Sequence, residues 1–204
     1  MFIICNMQTE IYPGKLLNEE RSVEGYRLII VPDDGMRAAL AEEAAYAAAC
    51  YGLEVQWSEK PVLELLHFYA RAEMEDTLLR WMQRICGQSV AFDLVFNNYG
   101  SRPDMPLYLR ITNGTALQSL AASFHLLDGW LKSNGMAAVR PSPTPWLPLV
   151  KRLVVKDARA FLLDFSSRLM YAVLRVEELV LEKNDGQIVS RLPLHPVNCK
   201  PSIK

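Results

Sequence analysis

The chain has 204 residues, half of them hydrophobic, with a formal net charge of −1 and an isoelectric point near 6.3. That composition excludes a disordered chain, and the near-neutral charge excludes a general electrostatic pull toward nucleic acid or anionic membrane. The four cysteines, Cys5, Cys50, Cys86 and Cys199, show no C-x-x-C spacing, so neither a zinc site nor a disulfide framework is expected, and reduced thiols in a cytoplasm are the plain reading.

No apolar run approaches the roughly 20 residues that a membrane helix needs. The apolar start Met1-Phe2-Ile3-Ile4-Cys5 lacks a basic flank and reads as a poor signal peptide. Residues 1–24 lack periodicity and read as an arm. Tyr26 to Val31 predicts a strand, stopped by Pro32 and the Asp33-Asp34-Gly35 turn. Met36, Leu40, Ala44, Ala47 and Tyr51 recur at helical spacing, with Gly52 as the stop. Val62 to Ala70 predicts the next strand. Strict alternation puts Leu63, Leu65, His67 and Tyr69 on one face, and Val62, Glu64, Leu66 and Phe68 on the other.

Met74, Leu78, Met82 and Ile85 predict a helix closed by Gly87. Strands over Val90–Phe96 and Leu107–Ile111 flank a turn containing Tyr99-Gly100 and Arg102-Pro103-Asp104. A single long helix is expected next, capped at Thr112 or Asn113, with Leu117, Leu120, Phe124, Leu127 and Leu131 buried and Gly135 at its end. The proline-rich stretch from Pro141 to Pro148 joins the two halves. Asp157 opens a short helix that buries Phe161, Leu162 and Phe165. Tyr171 to Lys183 reads as one strand of a hairpin that turns at Asn184-Asp185-Gly186, where Asp-Gly suggests a type I′ turn, and returns as Gln187 to Leu192. Residues 193–204 read as a loose tail, leaving 25–192 as one α+β domain.

Leu66-His67-Phe68-Tyr69-Ala70 and Thr144-Pro145-Trp146-Leu147-Pro148-Leu149 stand in corresponding places in the two halves. From Tyr26 to Asp185 the order of elements resembles the 2H phosphoesterase superfamily, which includes the bacterial 2′-5′ RNA ligases. Tyr26–Pro32 resembles the family's opening strand and Met36–Tyr51 the helix after it. Asn97-Asn98-Tyr99-Gly100-Ser101 and Leu107-Tyr108-Leu109-Arg110-Ile111 resemble the stretch between its two H-x-T/S motifs. Pro143 to Lys151 resembles the family's P-x-P-H-φ-T-φ-A-R element, with Trp146 at the histidine, Pro148 at the threonine and Lys151 at the arginine.

The resemblance implies a two-lobed α+β fold, with two mostly antiparallel sheets facing across a cleft and helices outside. It also implies a reaction at phosphodiesters that needs no metal or cofactor, with one histidine as general base and the other as general acid. Here the first motif keeps His67 and has Tyr69 in place of the hydroxyl residue. The second has Trp146, whose indole N–H only donates, and Pro148, which lacks a backbone donor and is expected to place its strand at a sheet edge or to end it early. His125 and His195 read as structural residues outside the cleft.

His67 is the candidate catalytic residue, although a histidine on an apolar strand face is commonly a packed core residue. Tyr69, Tyr108, Arg110, Trp146 and Lys151 are the candidate ligand contacts. Trp146 either fills a lost active site or stacks on a base. Arg110 is a candidate phosphate or carboxylate partner, and both it and Lys151 have a solvated surface charge as the alternative. Three functions fit: a degenerate cytoplasmic 2′-5′ RNA ligase-like protein that binds nucleotide or RNA phosphate ends without the two-histidine reaction, an active divergent cyclic phosphodiesterase using His67, and a protein-interaction module with a closed cleft.

Overall fold

A computed structural model describes residues 22–52, 55–142, 146–153 and 158–196. In chain order the elements are β1 (Val23–Ile30), α1 (Asp34–Tyr51), β2 (Val55–Trp57), β3 (Leu63–Arg71), α2 (Glu75–Gln88), β4 (Phe92–Arg102), β5 (Met105–Ile111), α3 (Thr115–Ser123), α4 (His125–Ser133), β6 (Arg140–Pro141), β7 (Trp146–Leu153), α5 (Ala158–Ser167), β8 (Tyr171–Val176), β9 (Glu178–Lys183) and β10 (Ile188–Pro193). They build two five-stranded antiparallel sheets, ordered β10-β9-β1-β3-β6 and β2-β7-β5-β4-β8.

The order carries a swap. The short strand β2 follows α1 in the first half, yet it pairs with β7; the short strand β6 follows α4 in the second half, yet it pairs with β3. Each half therefore closes the edge of the other half's sheet beside its motif strand. β3 and β7 consequently occupy the same place in their sheets, second from one end.

Helices cover one face of each sheet. α2 lies against β10 and α4, α3 against β3, and α5 against β4. Under the first sheet, Tyr26 and Phe68 stack 5.6 Å apart. At the second, Phe161 and Phe165 are fully buried, and Phe165 meets Tyr46, Trp57 and Tyr99. The alanine-rich α1 buries only Met36, Leu40 and Ala47, and it is tied to α5 by polar groups instead. Tyr46 and Tyr51 both donate to Asp164, and Arg168, just past the end of α5, donates twice to Glu43. The bond to Asp164 is the main reason that the Tyr46 hydroxyl is pushed up to about 12.

Several predicted elements shift. Gly87 does not close α2, which runs to Gln88 and ends where the Ser89 hydroxyl donates to the Ile85 carbonyl. β4 continues through Tyr99-Gly100, and the turn lies beyond Arg102. The expected long helix breaks at Phe124 into α3 and α4. Asn113 does not cap it: its side chain bridges to β4, accepting from Val95 N–H and donating to the Asp93 carbonyl. Gly135, with φ 75°, still ends α4, and Met136 N–H donates back to the Leu131 carbonyl, as left-handed helix ends commonly do.

The run from Tyr171 to Lys183 is two strands, not one. It breaks at Glu177, leaving β8 in the second sheet and β9 in the first. The turn after β9 is not type I′, because only Gly186 among its residues has positive φ, at 89°. Lys183 accepts from Gly186 N–H and donates to Gln187, which is a type I turn closed by a left-handed glycine. Just past β10, Leu194 is buried, and His195 exchanges backbone hydrogen bonds with Ser89 and Ala91. Asp157, expected to open α5, lies outside the described residues.

Candidate ligand cleft between the sheets

In the first sheet, register places Glu182, Arg27, His67 and Arg140 in one row across β9, β1, β3 and β6. Paired residues share a face, so the four side chains emerge together. His67 reaches this face through a bulge. Leu28 pairs with Leu66 while Ile29 pairs with Glu64, so Leu65 is an extra residue and the alternation inverts there. Leu63, Leu66, Phe68 and Ala70 share the buried face, while Glu64, His67 and Tyr69 share the other. The strict alternation expected for this strand is corrected accordingly.

His67 is half-buried, its ring lies edge-on to Tyr69 at 5.0 Å, and its side chain makes no hydrogen bond to another described residue. Arg27 donates from Nη2 to Glu182 Oε1 at 2.5 Å and has Glu64 at 4.0 Å, so its charge is largely matched.

In the second sheet, Arg110 pairs with Trp146, and Tyr108 pairs with both Pro148 and Gly100. β7 has its own bulge: Leu107 pairs with Val150 and Tyr108 with Pro148, so Leu149 is the extra residue. That shift brings Lys151 onto the face of Trp146 and Pro148, where unbroken alternation would put it on the opposite one. β7 is flanked on both sides and runs on to Leu153, contrary to the edge position or early end expected from Pro148. The proline is tolerated because β2 pairs only with Val150, Arg152 and Leu153, leaving no ladder partner on that side of Pro148.

The second motif is filled with rings. Tyr108 and Trp146 lie 5.1 Å apart at 34°, and the Arg102 guanidinium sits 4.6 Å from the Trp146 ring centre. A Cβ at Gly100 would lie 2.5 Å from the Tyr108 ring, so only glycine admits that ring position.

The two sheets meet across a cavity of about 570 Å3. Arg27 and Glu64 from the first sheet line it opposite Trp146, Pro148 and Lys151 from the second. Three further charges, Glu59, Lys60 and Asp104, complete the lining, so acids and bases are equal in number. Two donors, Arg27 Nε and Trp146 Nε1, are buried without a hydrogen-bond acceptor among the described residues. Among those residues no three His, Cys, Asp or Glu side chains are grouped to hold a metal ion, and no helix is long and apolar enough to cross a membrane.

Of the candidates, Trp146 and Lys151 line this cavity and Tyr108 packs on Trp146. His67 is the immediate cross-strand neighbour of Arg27 in the same wall, and Tyr69, 37% exposed, sits beside it. Arg110 instead lines a separate depression beside α5. His125 is exposed with its ring against the Ala122 carbonyl, outside this cavity lining. Sequence reasoning missed Arg27, Glu64, Arg102, Arg140 and Glu182. For Arg27 and Glu64 a signal existed, a charge inside an otherwise apolar strand.

No family model matches the chain, and no curated protein matches it. Solved structures do. The protein TT0787 of Thermus thermophilus superposes with a TM-score of 0.62 at 15% identity, over 85% of this chain and 99% of its own. Escherichia coli LigT complexed with 3′-AMP gives 0.58 at 14% identity, with the same coverage of each chain. LigT complexed with NADP+ gives 0.54 at 15% identity, again with that coverage. The chain has the two-lobed α+β fold of the LigT-like 2H phosphoesterases.

Proposed function

We propose that the protein is a LigT-like fold that binds a phosphate-bearing nucleotide or RNA end between its sheets without performing the two-histidine reaction. One observation supports this reading: β7, which carries Trp146, holds the place in its sheet that β3, which carries His67, holds in the other, and the indole is packed there by Tyr108 and Arg102. Indole can donate a hydrogen bond but cannot exchange a proton at working pH. Loss of one acid–base partner costs about 10²–10⁴-fold in rate.

Binding is a separate matter from turnover. Lys60 and Lys151 line the cavity without an ion pair to any described residue, and the two unmatched donors of Arg27 and Trp146 suit an oxygen-rich ligand. The nucleotides found with LigT, 3′-AMP and NADP+, define the class to try first. A second reading, a closed cleft used as a protein-interaction surface, is favoured by the ring packing at the second motif and by the equal numbers of acids and bases.

Calorimetric titration with 3′-AMP, beside a hydrolysis assay on 2′,3′-cyclic nucleotides, separates the readings. Saturable 3′-AMP binding weakened by Lys151→Gln, with no turnover, is the expected result. Turnover that vanishes in His67→Ala would favour the active divergent phosphodiesterase. Absence of binding would leave the closed cleft.

A further inference from the structure

The depression beside α5 lies outside the cleft and shares no lining residue with it. Its volume is about 540 Å3, within the range of small-molecule sites. The walls are largely apolar: Leu107 and Tyr99 from the second sheet face Ala158, Leu162 and Leu163 on the flank of α5. Leu163 is 60% exposed, an uncovered apolar side chain at the rim. Two guanidiniums, Arg110 of β5 and Arg159 of the first turn of α5, also line it. Both are exposed, and neither has an ion pair or hydrogen bond to a described residue. Two other arginines of this sheet contrast with them: Arg102 is held by Asp104 and Arg175 by Asp93.

An apolar hollow with two cations, unmatched and without a carboxylate in the lining among the described residues, selects one kind of ligand. A purely apolar molecule leaves the guanidiniums unused, and a small inorganic anion leaves Leu162 and Leu163 wet. We propose that this depression binds an amphipathic organic anion, a carboxylate or sulfonate whose head pairs with Arg110 and Arg159 while its hydrocarbon or aryl body covers Leu107, Leu162 and Leu163. Arginine suits such a head because its planar fork can bind two oxygens at once.

The test uses the full chain and the fluorescent aryl sulfonate 8-anilino-1-naphthalenesulfonate, with octanoate as competitor. One saturable site is expected, emptied by octanoate and weakened at least tenfold by Arg110→Gln with Arg159→Gln. Both residues are exposed, so that variant should keep its circular dichroism and melting temperature. Amide shifts on octanoate addition should centre on Gly100, Ser101, Leu162 and Leu163. The cleft variant Lys151→Gln should leave the titration unchanged, which separates this site from the nucleotide cleft. No saturable site, affinity within twofold of wild type in the double arginine variant, or shifts centred elsewhere would each overturn the proposal.

Discussion

The walls of the cleft occupy matching places in matching sheets but are finished differently. The His67 wall is polar and loosely held. The His67 ring has one ring neighbour and no hydrogen bond to a described residue, and the row it belongs to is completed by Glu182, Arg27 and Arg140. The Trp146 wall is packed: Tyr108 lies flat over Gly100, Trp146 leans on Tyr108, and Arg102 covers Trp146. The two sides share their strand order and their crossed short strands, while the centres of the walls differ: an imidazole with one ring neighbour on one and a packed indole on the other.

The sharpest way to break this contrast is to make the walls alike. Trp146→His with Pro148→Thr rebuilds the second motif. Slow turnover of a 2′,3′-cyclic nucleotide should rise about 10²-fold above the wild-type background, the low end of what one acid–base partner supplies. The gain should vanish when His67→Ala is added. A folded variant that shows neither binding nor turnover would favour the closed-cleft reading.

Stability should divide the walls in the same way. Trp146→Ala removes a half-buried ring with two packed neighbours and should cost about 2–3 kcal/mol in chemical denaturation, below the 3–5 typical of fully buried rings. His67→Ala should stay within about 0.5 kcal/mol, as for residues without buried partners. Equal losses would erase the distinction. Gly100→Val forces a Cβ into the Tyr108 ring, and overpacking of this kind costs about 1–3 kcal/mol. A neutral result there would mean that the ring moves freely and that the wall is less tightly filled.

A further contrast concerns the helix covering the His67 sheet, and it shows only at high pH. Burial pushes the Cys86 thiol of α2 up to about 12 from its ordinary 9.0. The folded state thus holds this proton more tightly than the unfolded chain. The associated stability is fully present below pH 9 and declines as pH rises toward 12, by at most about 1.4 kcal/mol per pH unit. Cys86→Ala should flatten the decline of stability between pH 9 and 11 relative to wild type, measured by denaturant titration. An unchanged slope would mean that the thiol is open to solvent.

Much of this was legible in the chain itself. The α1 repeat of Met36, Leu40 and Ala47, the stop at Gly52, and the strands around His67 and Leu107–Ile111 follow from period and punctuation, which are local properties. The two-lobed architecture was legible through the resemblance, which rested on the order and spacing of elements and not on any single motif residue. What local pattern could not show was where a strand changes partner. Tyr171–Lys183 reads as one β-prone run, and nothing in its composition says that Glu177 hands the chain from one sheet to the other. Asn113 has the chemistry of a helix cap, and only the nearby β4 backbone diverts it.

The bulges mark the limit most clearly. Residue identity placed His67, Trp146 and Lys151 in strands, but an extra residue at Leu65 and another at Leu149 decide which side chains share a wall. A bulge is settled by how two strands register against each other and against their other neighbours, a long-range balance that alternation along one strand does not contain. The sequence by itself determined which groups the two central strands carry: His67 on one, Trp146 on the other, and a small set of charges. The tertiary structure decided that Arg27 and Glu64 face Trp146 and Lys151, and that Arg110 belongs to a different hollow, because those placements depend on packing between segments far apart in the chain.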